Sequence, residues 1–212
     1  MQIVQVVKKG KKDVTIIFED EKILILAVEV FIKSGLKKGD DISDDRFLFL
    51  IEQNKLFHIK QRAFKILGRR HHSSSELRSK LWQKDYDKKL IDSVINDLSE
   101  NGYLNDEDFI SEFVADKSRL KNWSLKKIKS ELIKKGIAQK QIESILNQQT
   151  NSVEYENVKI VAKKKFEQLS KRKLEPKELR NKLSNFLFTK GFDYEMIKKV
   201  SANLINAKQD EE

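Results

Sequence analysis

The residues best suited to catalysis by type are three histidines and a serine, and their arrangement argues against a catalytic role. His71 and His72 directly precede Ser73, and His58 is the remaining histidine. A serine hydrolase needs a strand-to-helix turn of the G-x-S-x-G kind, which the sequence lacks. Cysteine is absent and the histidines lack further ligands at metal-binding spacing. Ser73 followed by Glu76 instead predicts a capping box. We therefore expect no enzymatic activity, no metal and no cofactor.

Lysine and arginine are the candidate binding groups. The 212 residues include 43 Lys or Arg and 33 Asp or Glu, for a net charge of +10. Residues 1–45 hold eight of the basic and nine of the acidic side chains, so the rest of the chain carries the whole positive excess. This distribution favours a polyanionic partner, either a nucleic acid or an acidic protein groove. The candidate contact residues are Arg69, Arg70, Arg78, Lys80, Lys84, Lys117, Arg119, Lys121, Lys126, Lys129, Lys134 and Lys135.

A segment repeated three times must position these side chains. In each copy, five apolar residues follow one another with steps of four, five, five and three. The copies are Leu77, Leu81, Tyr86, Ile91, Val94; then Ile128, Leu132, Ile137, Ile142, Ile145; then Leu183, Leu187, Phe192, Ile197, Val200. A step of four places two side chains on one face of a helix. Since an apolar-striped helix also precedes each copy, the repeating unit is three helices. Such units hide their apolar faces by stacking into an elongated, curved array.

The first step of five in each copy indicates a tight stop between two helices. Gly136 and Gly191 stand just before the third apolar residue, where a left-handed backbone ends a helix. Asp85 takes this place in the first copy, at the cost of some strain. Asp87 and Asp193 are then positioned to cap the next helix, whereas the middle copy has alanine there.

Some basic residues recur at equivalent positions of the repeat. Arg78 and Lys129 occupy the same place in their copies, as do Lys84, Lys135 and Lys190. Stacking of the units would align these side chains into a stripe. A rigid basic stripe can follow a polyanion or the acidic wall of a filament groove.

The first 45 residues differ from the helical body. Short β-branched and aliphatic runs at 3–7, 14–18 and 23–26 predict two or three antiparallel strands. A short helix over 28–34 should end at Gly35, and a long helix should run from Asp45 towards Gly68, capped by Asp41 or Ser43. The apolar run 23–28 is far too short to span a bilayer.

The chain is thus predicted to be mainly α-helical with a small N-terminal sheet. The predicted segments are a β-rich extension at 1–45, repeats at 46–106, 107–150 and 151–206, and an acidic disordered tail at 207–212.

Four motifs resemble those of the RecX regulatory family. Residues 69–81 (RRHHSSSELRSKL) are similar to the family pattern R-x-H-S-x-x-E-L-x-x-K-L, and 98–109 (LSENGYLNDEDF) to L-x-x-x-G-Y-L-[DN]-D-x-x-F. Residues 131–137 (ELIKKGI) resemble E-L-x-x-K-G-I, and 189–192 (TKGF) resemble R-R-G-F. The chain departs from the family at Asp85, which replaces a glycine, and in having lysines where a second arginine cluster is usual.

The resemblance implies a cytoplasmic protein that binds along the RecA recombinase filament and suppresses strand exchange and ATP hydrolysis, so modulating recombination and DNA repair. We expect a monomer that contacts RecA, with single- or double-stranded DNA as a possible direct partner, and no membrane. One alternative is a nucleic-acid-binding helical module that acts independently of RecA. Another is a helical scaffold for a different protein.

Overall fold

The computed structural model describes residues 1–147, 151–172 and 174–209, without the side chains of 151, 152 and 207–209. Three strands lead into helices that account for nearly all of the remaining regular structure in these ranges. None of the described helices is both long and apolar enough to cross a membrane.

The N-terminal extension is a three-stranded antiparallel sheet. Strands β1 (Ile3–Lys9), β2 (Asp13–Phe18) and β3 (Ile23–Ala27) lie in the order β1-β2-β3. Helix α1 (Val28–Ser34) follows and ends at Gly35, whose φ of 70° is left-handed. The predicted strands, helix and helix stop are therefore confirmed.

Helix α2 (Asp44–Leu67) belongs to two hydrophobic cores. It begins at Ser43, whose hydroxyl accepts a backbone N–H of the first turn, which identifies the cap among the two predicted candidates. Leu50, in its first half, is buried with the sheet. Ile59 and Ala63, in its second half, are buried with the first repeat. One continuous helix thus joins the extension to the repeat.

The repeats are three-helix units, as predicted. The second half of α2 packs with α3 (Ser74–Trp82) and α4 (Lys88–Glu100). The second and third repeats comprise α5 (Asp106–Lys121), α6 (Leu125–Lys134), α7 (Gln139–Leu146), α8 (Asn151–Ser170), α9 (Pro176–Thr189) and α10 (Tyr194–Gln209). All fifteen apolar repeat positions are buried except Tyr86 and Ile145, which are half-buried. Each repeat has its own core.

Helix α10 continues through Gln209, so the first three residues of the predicted tail are helical. The rest of that tail, 210–212, lies outside the described residues.

The predicted stops between helices have left-handed backbone. Asp85, Gly136 and Gly191 have φ values of 58°, 77° and 85°. After the stop in the second repeat, the Ile137 N–H donates to the Leu132 carbonyl at 3.2 Å. The Phe192 N–H donates to the Leu187 carbonyl at 3.3 Å in the same way in the third repeat. Each of these two bonds spans five residues and satisfies a carbonyl at the helix end, which fits the apolar step of five.

The second repeat lacks one helix cap that the other two have. Asp87 accepts two backbone N–H groups at the start of α4, and Asp193 accepts one at the start of α10, whereas Ala138 before α7 offers no side-chain acceptor. We expect Ala138→Asp and Ala138→Asn each to raise the free energy of unfolding by about 1 kcal/mol, because either restores a cap. Urea denaturation measures the change. The uncharged asparagine separates capping from charge, and a gain with aspartate alone would contradict the capping explanation.

Two compact units make up the chain. One is Met1–Leu104, with the sheet and the first repeat, and the other is Asn105–Glu212, with the second and third repeats. Within the second unit, α5 packs against α8.

Buried polar groups connect the second and third repeats. The Ser124 hydroxyl, fully buried at the start of α6, donates to the Lys190 carbonyl at 2.8 Å. The buried Asn157 amide donates to the Ser118 hydroxyl at 3.0 Å. A carboxylate oxygen of Glu154 accepts the Leu125 N–H at 2.9 Å. A side chain of the third repeat therefore caps a helix of the second.

Glu154 should make this unit less stable as pH rises. Burial raises the pKa of Glu154 above its ordinary value of 4.5 and the nearby Asp193 raises it further, while the Leu125 N–H opposes the shift. Between the ordinary and the raised pKa, folded Glu154 binds more protons than unfolded Glu154, so stability falls as pH increases through that interval. Glu154→Gln keeps the acceptor oxygen and cannot titrate. We expect the difference in urea midpoint between the two proteins to change across this interval. If the urea midpoints of the two proteins kept a constant difference at every pH, Glu154 would not be the source of the pH dependence.

Candidate partner-binding surface

The histidine–serine segment builds the start of a helix. The Ser73 hydroxyl accepts the Glu76 N–H and the Glu76 carboxylate accepts the Ser73 N–H, which confirms the capping box. The same carboxylate accepts two bonds from the Arg70 guanidinium, each 3.2 Å long. His72 is buried with its Nδ1 2.8 Å from the Arg70 carbonyl, and this burial lowers the pKa of His72. Arg70 is therefore held by the fold at this helix start.

Two basic residues at equivalent positions make equivalent ion pairs within their repeats. Arg78 Nε lies 2.8 Å from Asp92 Oδ1, and Lys129 Nζ lies 2.6 Å from Glu143 Oε1. Each pair joins the second helix of a repeat to its third. In the third repeat, Ser184 stands in place of the cation and Lys198 in place of the carboxylate, so this pair cannot form there. The cation shared by the first and second repeats at this position therefore reflects a contact inside each of these two repeats.

Three lysines surround an aromatic pair in the second repeat. The rings of Phe113 and Trp123 have centroids 6.4 Å apart. Lys117 Nζ lies 5.0 Å from the Phe113 centroid, Lys127 Nζ lies 4.1 Å from that of Trp123, and Lys135 Nζ lies 5.6 Å from that of Phe113. Ammonium groups at these distances are attracted by ring faces. Lys117 and Lys135, both predicted contact residues, thus also cover the apolar surface of their own repeat.

The other predicted contact residues fall into two groups: one that forms an ion pair within the protein and six that do not. Lys134 pairs with Glu131 at 2.8 Å. Six are exposed and have no hydrogen bond, ion pair or ring contact from their side chains within the described ranges: Arg69, Lys80, Lys84, Arg119, Lys121 and Lys126. We call these six the free cations. Trp82, at the end of α3 between Lys80 and Lys84 in sequence, is 72% exposed. Tryptophan and arginine are enriched among the residues that dominate binding energy.

Each compact unit carries three of the free cations. The first has Arg69, Lys80 and Lys84, and the second has Arg119, Lys121 and Lys126. The alignment of basic residues into a stripe along the repeats stays a prediction.

A basic groove on α2 was missed by the sequence reasoning. Lys55, His58, Arg62 and Lys65 follow one another with steps of three, four and three, which places them on one face of the helix. They line a groove of about 850 Å³ with Ile59, Gln61, Asp85, Tyr86, Asp87 and Leu90. We call it the α2 groove. The spacing of Lys55, His58, Arg62 and Lys65 was visible in the sequence, where Lys55 also interrupts the apolar stripe of α2.

These features define a class: a tandem helical-repeat protein with charged surfaces suited to binding a partner. Among the described residues, no three His, Asp or Glu side chains group in a way that would hold a metal ion. The models of the first, second and third RecX three-helix domains match residues 60–98, 105–146 and 152–200. The chain belongs to the RecX family, which is a family of regulatory proteins.

Relatives match over nearly the whole chain. The regulatory protein RecX of Clostridium botulinum (strain Alaska E43 / Type E3) is 30% identical over 202 residues, covering 95% of this chain and 94% of the relative. That of Clostridioides difficile (strain 630) is 28% identical over 199 residues, covering 94% and 92%. A crystal structure of regulatory protein RecX shares the fold with a TM-score of 0.79 at 20% identity, covering 95% and 98%. RecX from Lactobacillus salivarius gives 0.66 at 25% identity, covering 72% and 97%.

Proposed function

We propose that this protein binds the RecA recombinase filament and inhibits its strand-exchange and ATPase activities, thereby modulating recombination and DNA repair. The observation that carries the proposal is the match to three RecX domains in order along the chain. The family resemblance implies RecA as the partner. A cytoplasmic location and a monomeric state accompany the proposal.

The mechanism we propose is steric. A protein that bridges neighbouring RecA subunits would hinder the motions that hydrolysis and strand exchange require. The free cations supply charge for an acidic filament surface without first breaking an intramolecular bond, and Trp82 supplies an exposed aromatic anchor beside two of them. Complementary charge speeds encounter, while a buried aromatic slows release.

The decisive experiment measures ATP hydrolysis by RecA on single-stranded DNA with increasing amounts of this protein. We expect hydrolysis to fall with a saturable dependence, and the inhibition to persist when the DNA is raised well above both proteins. Unchanged hydrolysis at saturating protein would overturn the proposal.

Binding to single-stranded DNA without RecA tests the alternative. A nucleic-acid-binding module that acts alone should bind tightly, with affinity falling steeply as salt increases, because each phosphate contact releases counterions. Our proposal expects weak binding to DNA alone at the salt concentration at which RecA is inhibited. Tight binding there, together with loss of inhibition in excess DNA, would favour the alternative.

A further inference from the structure

Lys55, Arg62 and Lys65 of the α2 groove make no hydrogen bond, ion pair or ring contact through their side chains within the described ranges, whereas the His58 ring packs edge-on against Phe57. Lys55, His58 and Lys65 are exposed, and Arg62 is half-buried. Among the described residues, none of the four makes an ion pair. This distinguishes them from Arg70 and the other paired cations of the repeats. The charges of Lys55, Arg62 and Lys65 are therefore available to a ligand.

Arg62 has a specific unmet requirement. Its Nε is buried and has no hydrogen-bond partner among the residues that the structure describes. A buried donor without an acceptor is costly, and more so when the group is charged. The rest of the guanidinium belongs to a half-buried side chain that lines the groove, and its planar shape suits a carboxylate or phosphate group. The arrangement therefore indicates an anionic ligand group near Arg62.

The side of the groove opposite α2 is apolar and acidic. Tyr86 and Leu90 contribute half-buried apolar surface, and Asp85 and Asp87 add two carboxylates. Asp87 is already engaged in capping α4. A nucleic-acid strand carries a phosphate at every nucleotide, so Asp85 and Asp87 would repel it. A peptide can place acidic side chains against α2 and aliphatic side chains against Tyr86 and Leu90.

The dimensions suit a short extended segment. Lys55 and Lys65 are ten residues apart on α2, which corresponds to about 15 Å at 1.5 Å per residue. An extended peptide advances about 3.3 Å per residue and directs alternate side chains to opposite sides. Five residues with acids at every second position therefore span the distance from Lys55 to Lys65.

We propose that the α2 groove binds an extended acidic segment of a partner protein, with acidic and aliphatic residues alternating and one carboxylate on Arg62. The site is separate from the free cations, and the proposal does not depend on RecA being the partner. It names the chemistry that a docking segment must present.

The test uses a blocked Asp-Leu-Asp-Leu-Asp peptide titrated into the full-length ¹⁵N-labelled protein. We expect saturable amide shifts concentrated in 55–65 and 85–90. A matched peptide with Asn in place of Asp should produce no saturable shifts, because the carboxylates carry the recognition. Absence of saturation with the acidic peptide, or equal shifts with the Asn peptide, would overturn the proposal.

Variants locate the binding. Arg62→Met should weaken peptide binding at least tenfold without lowering the melting temperature, because it removes a buried donor that has no partner. Lys55→Gln with Lys65→Gln alters exposed side chains only and should also weaken binding at least tenfold, which keeps the test valid if the Arg62 variant fails to fold. The matched control, Lys11→Gln with Lys12→Gln, changes two exposed lysines in the turn between β1 and β2 and should bind as the parent does. Equal affinity in all variants would refute the site.

The same titration with a ten-nucleotide oligothymidylate tests the other class of polyanion. We expect it to leave 55–65 and 85–90 unshifted at concentrations at which the peptide saturates. Tighter binding of the oligonucleotide than of the peptide in this groove would replace the proposal with a nucleic-acid site.

Discussion

Replacing Arg69, Lys80 and Lys84 together by glutamate should raise the concentration needed for half-inhibition of RecA ATP hydrolysis by about tenfold or more. Loss of about 1.4 kcal/mol of binding free energy suffices for this change, and three reversed charges facing an acidic surface should exceed it. These three residues are chosen because their side chains are exposed and hold no partner within the described ranges. The ATPase assay proposed above measures the effect.

The triple variant leaves Arg70 and Arg78 unchanged. Arg70 binds Glu76 and Arg78 binds Asp92, so reversing either charge would disturb the fold as well as the surface.

A matched control reverses three exposed lysines elsewhere in the same unit. Lys8, Lys11 and Lys12, around the turn between β1 and β2, are replaced by glutamate, which changes the net charge equally. We expect this variant to inhibit RecA as the parent does. If both triple variants lose inhibition to the same degree, net charge and not a defined surface is responsible. If neither does, binding uses another face.

Gly191→Ala should destabilise the second unit by about 2 kcal/mol or more. Gly191 has a φ of 85°, where a side chain is strained, and a Cβ built there would lie 2.8 Å from the Ser124 hydroxyl oxygen. That hydroxyl is fixed, because it accepts the Lys127 N–H and donates to the Lys190 carbonyl. The substitution should therefore loosen the contact between the second and third repeats. The urea-unfolding free energy measures the loss.

Gly102→Ala is the matched control for backbone strain. Gly102 has a φ of 74°, yet a Cβ there would meet nothing within 4 Å, so this variant should lose only about 1 kcal/mol. The difference between the losses in unfolding free energy of Gly191→Ala and Gly102→Ala measures the cost of the close contact with Ser124. Ser124→Ala removes the obstructing atom, so the double variant with Gly191→Ala should lose less than the sum of the single losses. Strict additivity would show that the contact does not matter.

The repeat could be predicted from sequence because its rules are local. The steps of four, five, five and three, the left-handed stop at Gly136 and the cap at Asp87 each involve residues a few positions apart. Within such distances the geometry of a helix and its ends determines which residue types fit. The capping box at Ser73 follows from the same local geometry.

Which cations are free could not be predicted in this way. Arg78 and Lys129 looked like candidates for a surface stripe because they recur, but their partners Asp92 and Glu143 lie fourteen residues on, across a turn. Arg69 and Lys80 are cationic in the same way, yet neither side chain has a partner in the part of the chain that the structure describes. Only the packing of one helix on another decides which carboxylate an ammonium or guanidinium group reaches.

The sequence by itself therefore determined the helices, their stops and caps, the number of repeats and the family, because these depend on residue type at short separations. The tertiary structure alone decided that Ser124, Glu154 and Gly191 join two repeats, and that Arg62 and Tyr86 line one groove. The physical reason is distance along the chain: contacts between residues far apart in sequence exist only after whole helices have packed, and no short-range pattern records which side chains then meet.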